Sequence, residues 1–183
     1  MTLPGQHFTY EDYRLLPEDK RYELVEGELL VTPAPNVRHQ EILGQLFLSL
    51  SLFVKAGRIG KLLLSPTDVI LANDTVVQPD LLFVSRDRQS MCDPRGGVHG
   101  APDLVVEILS PSTVSRDQVG KRKLYGKYGV REYWIVDPDA RSIEVLSLGA
   151  GELEPWGTFA AGSVLTSAVL PGLSLTVAEI FEQ

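Results

Sequence analysis

The chain has 183 residues, 44% hydrophobic and 22% charged, with a formal net charge of −7; these proportions are those of a globular chain long enough to bury a core of its own. The acidic balance disfavours broad binding to a polyanion, which needs clustered Lys and Arg, and no apolar run approaches the ~20 residues of a membrane span. The single cysteine, Cys92, allows no intrachain disulfide and no cysteine-based zinc cluster.

The opening stretch, MTLPGQHFTYEDYR, lacks the basic region and apolar run of a signal peptide, so the expectation is a cytoplasmic protein without a membrane anchor. Thr9 is placed to cap a short helix over Glu11 and Asp12 that stops at Pro17. In RYELVEGELLVTPAP two apolar arms flank Glu26-Gly27, which predicts a hairpin, and Pro33 and Pro35 then make an extended link. NVRHQEILGQLFLSLSLFVKAG carries the clearest helical period: Ile42, Leu43, Leu46, Leu50 and Phe53 recur on one face, Asn36 can cap its start, and Gly57 is a natural stop.

The pattern then turns to strands. GKLLLSPTDVILA and TVVQPDLLFVS are separated by an Asn73-Asp74 turn, and residues 86–102, polar and glycine-containing, read as a long loop. DLVVEIL is a further strand, and STVSRDQVGKRKLYGKYG a second helix ending near Gly129. REYWIVDPDARSIEVLSL has a DPDA turn between two apolar runs, and the weakly alternating tail ends in a short helix around TVAEIFE. This order predicts an α/β (α+β) domain with one central mixed sheet.

The chemistry centres on PDLVVEILSPS. A period of two puts Val105, Glu107 and Leu109 on one face of the strand, so a carboxylate points among aliphatics and needs a compensating cation, proton or hydrogen bond. Asp80 opens the preceding strand after Pro79; if the strands are neighbours, the two carboxylates converge at one edge of the sheet. Asp117, Lys121 and Tyr125 share a face of the following helix, which can fold back and bring Lys121 toward Glu107. Two carboxylates can hold a divalent cation, and a lysine beside them can orient or activate water, which suits metal-assisted phosphodiester hydrolysis. The alternative is a structural Glu107–Lys121 ion pair. Asp80 and Asp103, each after a proline, equally serve as strand-end residues, and Asp117 suits a helix start. His39 reads as a hydrogen-bonded or solvated histidine, Glu23 and Glu26 as solvated hairpin residues. Tyr133 and Trp134 point to opposite faces, so at most one of them joins a site. No phosphate-binding loop, zinc-protease helix or nucleophile elbow is present.

In this order RYELVEGELL, His39-Gln-Glu-Ile, QPDLLFVS, PDLVVEILSPST, Asp117-x3-Lys121-x3-Tyr125 and GVREYWIVDP resemble the Uma-two family, from about residue 8 to about residue 147. VVEILSPS together with EYWIVDP is the specific part. The resemblance implies the PD-(D/E)xK restriction-endonuclease-like fold: a mixed central sheet flanked by helices, here with an N-terminal helix and hairpin added. It implies one domain over 1–183, with an N-terminal extension at 1–35, a core at 36–147 and a C-terminal extension at 148–183. It implies a nuclease acting on nucleic acid, DNA before RNA, with Mg²⁺ or Mn²⁺ as cofactor. Asp80 and Glu107 match the acidic metal ligands, and Glu23 resembles a further N-terminal acidic position. The family lysine does not follow Glu107 by two residues, where Leu109 stands; Lys121 is the candidate and Lys123 the second choice. A homodimer is also expected, because such nucleases act on two strands and the C-terminal apolar runs have no obvious core partner.

Overall fold

Two prolines break the strands that the sequence reads as continuous. In this computed structural model, which describes residues 7–17, 19–110 and 117–182 (backbone alone for 117–119), the run before Asn73 divides at Pro66 and the run after Asp74 at Pro79. Proline has no N–H to give a ladder, so each break lets the chain leave one sheet for another. The result is two six-stranded mixed sheets where one central sheet is expected. The α/β class holds.

The helix α1 (Tyr10–Tyr13) is capped by Thr9 in a reciprocal box with Asp12. The hairpin of β1 (Arg21–Val25) and β2 (Glu28–Thr32) turns at Glu26 and Gly27, both at positive φ, and a Cβ on Gly27 would run into the His7 ring. The long helix α2 (Val37–Gly57) starts on Asn36, whose side chain accepts from His39 N–H; its left-handed cap is Arg58, one residue beyond the expected glycine stop. Then come β3 (Gly60–Leu64), β4 (Val69–Ala72), β5 (Thr75–Val77) and β6 (Leu81–Ser85). The expected loop of 86–102 holds a 3-10 turn at Arg86–Met91 and two short strands, β7 (Cys92–Asp93) and β8 (Gly97–His99), which alternation over so few residues cannot reveal. β9 (Leu104–Ile108), α3 (Asp117–Tyr128), β10 (Glu132–Asp137) and β11 (Ser142–Leu148) follow. The expected start of α3, before Asp117, and its SPST link beyond Ser110 lie outside the described residues. β12 (Leu153–Ala160), β13 (Val164–Leu165), β14 (Leu175–Thr176) and α4 (Val177–Phe181) complete the chain.

One sheet runs β2-β1-β5-β4-β8-β7, the other β12-β11-β10-β9-β6-β3. In the second sheet, alternation sorts the side chains between two cores. Leu81, Phe83, Leu104, Val106, Ile108 and Trp134 pack with Ile42, Leu46 and Leu50 of α2 and Val177 and Ile180 of α4. Leu82, Val84, Val105, Tyr133 and Ile135 face the other way, against α3 and against Val69, Val77 and Val98 of the first sheet. Each fully buried Leu or Ile contributes about 1.5–3 kcal/mol, so both cores are substantial. The C-terminal Leu165, Leu170, Leu173 and Leu175 belong to the α2 core, so these apolar residues are used within the chain.

Two buried carboxylates pin this frame. Glu132 accepts from Trp134 Nε1–H (2.7 Å), the Ser167 hydroxyl (2.6 Å), Ala168 N–H (2.8 Å) and Val169 N–H (3.2 Å), tying the C-terminal segment to β10. Asp103 accepts from Ser85 N–H (2.8 Å), Arg88 (2.8 Å) and Arg131 (3.0 Å) at the start of β9. Among the described residues no helix is long and apolar enough to cross a membrane.

Candidate active site

β6 runs antiparallel to β9, with Leu81 opposite Val106 and Phe83 opposite Leu104. The residue before β6 therefore meets the last residues of β9, and Asp80 comes to the Glu107 end of the sheet. Asp80 Oδ2 accepts from Ile108 N–H at 2.8 Å, the amide next to Glu107. The same oxygen lies 3.0 Å from His39 Nε2; since a carboxylate can only accept, Nε2 carries the hydrogen. The first turn of α2 thus holds the first carboxylate in position.

Glu107 lies on the face of β9 that looks toward α3. Its Oε1 accepts from Lys121 Nζ at 2.9 Å and from the Tyr125 hydroxyl at 2.6 Å. Lys121 and Tyr125 are one helical turn apart, so both reach the same carboxylate. Lys121 Nζ is also 3.4 Å from Glu23 Oε1, and that oxygen accepts from Gln78 N–H at 2.9 Å. Glu23, expected to be solvated in a hairpin, is 6% exposed. β1 belongs to the first sheet and β9 to the second, so Lys121 spans them.

Burial pushes the Glu107 pKa up to about 7; Lys121 pulls it down, Asp80 and Glu23 push it up, and the Tyr125 hydrogen bond lowers it. Burial works against the Lys121 ammonium, but Glu107 and Glu23 outweigh it and keep its proton bound well above the ordinary lysine range. Burial and the Glu107 charge likewise raise the Tyr125 phenol. The site is therefore crowded with carboxylates, and among the described residues the Lys121 ammonium lies within reach of two of them.

These groups open on a cleft of about 570 Å³. Glu23, His39, Asp80, Glu107, Lys121 and Tyr133 line it, together with Arg21 and residues 30–35. Of the aromatic pair, Tyr133 faces the cleft and Trp134 the α2 core. Lys123 is exposed and does not line the cleft, and the Asp117 side chain lies outside the described residues. Among the described residues, no three His, Cys, Asp or Glu side chains are close enough to hold a metal by themselves.

The family described as "Uma2: Putative restriction endonuclease" matches residues 10–178. The chain belongs to the Uma2 family. None of the curated proteins matches it. Among solved structures it resembles one described as "a putative nuclease belonging to DUF820 from Anabaena variabilis ATCC 29413", at 23% identity and a TM-score of 0.79 over 95% of this chain and 97% of that one. At that identity the likeness establishes the fold.

In this Uma2 chain the structure places Asp80, Glu107, Lys121 and Glu23, the four residues singled out in the sequence, along one cleft. The sequence reading leaves out what His39, Tyr125 and Gln78 do there. His39 is hydrogen-bonded, as its bland reading expects, but its partner is Asp80. The i, i+4 spacing of Lys121 and Tyr125 is the available signal for Tyr125. Gln78 acts through its backbone N–H, and no sequence signal finds it.

Proposed function

We propose that this Uma2 chain is a cytoplasmic, Mg²⁺-dependent nuclease that hydrolyses phosphodiester bonds in DNA. The observation that carries this reading is the convergence of Asp80 and Glu107 on one cleft with the Lys121 ammonium 2.9 Å from Glu107. The donor set suits the ion. Among the described residues the hydrogen bonds to Asp80 fall on Oδ2 and those to Glu107 on Oε1, and the second oxygen of a carboxylate is a ligand of the type a hard cation takes. Mg²⁺ is commonly held by one or two carboxylates, with water and substrate phosphate completing its shell, so a cluster of three protein ligands is not required. Repulsion from Asp80 and Glu23, which helps raise Glu107, is what a divalent cation relieves.

Asp80 and Glu107 would hold the ion, with Glu23 as a further acidic ligand beside them. When bound, Mg²⁺ lowers the pKa of water and offsets charge on the phosphate. Lys121 keeps its proton, so its role is that of a fixed cation and hydrogen-bond donor that orients the attacking water or steadies charge on the phosphate oxygens. His39 and Ile108 N–H hold Asp80, and the Tyr125 hydroxyl donates to Glu107. Arg21 supplies positive charge on the cleft wall, against a chain that is acidic overall. A homodimer completes the reading for a duplex substrate; its support is the need to cut two strands, and a monomer in sedimentation at micromolar concentration removes it.

The test is metal-dependent cleavage of labelled DNA and RNA by wild type, Glu107→Ala and Lys121→Ala. Loss of cleavage in both variants supports the reading; full activity in either overturns it. A second reading, a non-catalytic protein that keeps the fold, is favoured by the completeness of the Lys121–Glu107–Tyr125 bonding. It expects stability loss in each single charge variant, recovery in the double, and no metal binding.

A further inference from the structure

Tyr125 is fully buried and is not among the residues lining the cleft, whereas Glu107 and Lys121 are. Its ring packs edge-on against Tyr133, with centroids 5.0 Å apart and planes at 64°. Its hydroxyl donates to Glu107 Oε1 at 2.6 Å, a short bond to a charged acceptor. Lys121 reaches that same oxygen at 2.9 Å.

The last torsion of a glutamate is soft and broad, so a carboxylate that must present one oxygen in one direction needs an outside constraint. Lys121 is a poor constraint by itself. Its stem is flexible, and its ammonium is shared with Glu23 at 3.4 Å. Tyr125 is a better one: its ring is clamped in the core, and a phenol has one O–H to give.

We propose that Tyr125 is a positioning residue: it fixes the Glu107 carboxylate by Oε1 and thereby presents Oε2 to the cleft. This rests on the nuclease reading of the cleft and adds to it a role for a residue that touches neither ion nor substrate. A merely structural tyrosine would affect stability alone. A positioning tyrosine affects the geometry of the loaded site, hence turnover and ion affinity, and leaves substrate binding untouched.

The variant is Tyr125→Phe, which keeps the ring and removes one oxygen. Three quantities are compared with wild type at a temperature where circular dichroism shows both fully folded: calorimetric Mn²⁺ affinity without nucleic acid, kcat for cleavage of labelled DNA, and KM. The expected result is weaker Mn²⁺ binding and a kcat lowered ~10-fold with KM unchanged. Wild-type kcat and Mn²⁺ affinity in Tyr125→Phe, whatever its Tm, overturn the positioning role and leave the nuclease reading standing. A wild-type protein that neither binds Mn²⁺ nor cuts nucleic acid overturns both.

Discussion

The ammonium of Lys121 lies 2.9 Å from Glu107 Oε1, and its side chain is largely shielded from solvent between Glu107 and Glu23. Removing it leaves Glu107 and Glu23 with uncompensated charge in a largely desolvated place. Lys121→Met is therefore expected to cost ~3–5 kcal/mol, and Lys121→Met/Glu107→Gln to recover part of that. Urea denaturation of both singles and the double gives the coupling directly.

Mg²⁺ is expected to stabilise the wild type by about 2.7 kcal/mol when present at 100 times its Kd. Asp80→Asn and Glu107→Gln each remove the charge of a proposed ligand and should abolish that gain. A thermal-shift series against Mg²⁺ concentration checks it. An undiminished shift in Glu107→Gln would move the ion away from this cleft.

His39 donates to one of the two carboxylates without touching the other. His39→Leu should cost ~1–3 kcal/mol for a buried hydrogen bond to a charged group. It should also lower kcat with little change in KM, because among the described residues Asp80 then keeps the Ile108 amide alone to hold it. His39→Gln, which can still donate, should restore part of both. Steady-state kinetics beside chemical denaturation separate the two effects.

Glu132 sits toward the opposite end of β10 from the residue paired with Glu107, and it does not line the cleft. Glu132→Ala strands an indole N–H, a hydroxyl and two backbone amides. A loss of about 3 kcal/mol or more is expected, with the C-terminal segment exchanging its amides faster. Hydrogen exchange over residues 167–170 is the measurement.

Asp103 supplies a pH dependence of known sign. Burial opposes its charge, but the Ser85 amide, Arg88 and Arg131 outweigh burial and hold its pKa below the usual 3.8. The folded protein thus binds this proton less readily than the unfolded chain. The stabilisation is present above the ordinary carboxylate pKa and is lost as pH falls through the depressed folded value. Asp103→Asn should lower Tm near neutrality and flatten its fall on acidification. Thermal melts across the acid range check both.

How much of this was legible in the sequence depends on the distance over which each feature is decided. The cap at Thr9, the Glu26-Gly27 turn, the α2 stripe and the alternation of β9 are local, and residue spacing alone determines them. Spacing also places Glu107 on the Val105 face and Lys121 one turn from Tyr125. The two short strands of 92–99 are beyond that reach, because too few residues alternate. So is the second sheet. Pro66 and Pro79 are plain to see, but that the chain changes sheets at each of them depends on which strands find partners.

The sequence by itself determined the class of fold and the family motif, because each is written in residue type and short-range period; Asp80, Glu107 and Lys121 were singled out through the family resemblance. Only the tertiary structure decided that Asp80 meets Glu107, since that needs β6 to lie antiparallel beside β9. It likewise decided that a hairpin residue, Glu23, is buried against Lys121, and that His39 belongs to Asp80. These are contacts between residues 41 positions apart for His39 and Asp80 and 98 apart for Lys121 and Glu23. Burial and pairing at such separations follow from how sheets and helices pack, a long-range property that local spacing does not encode.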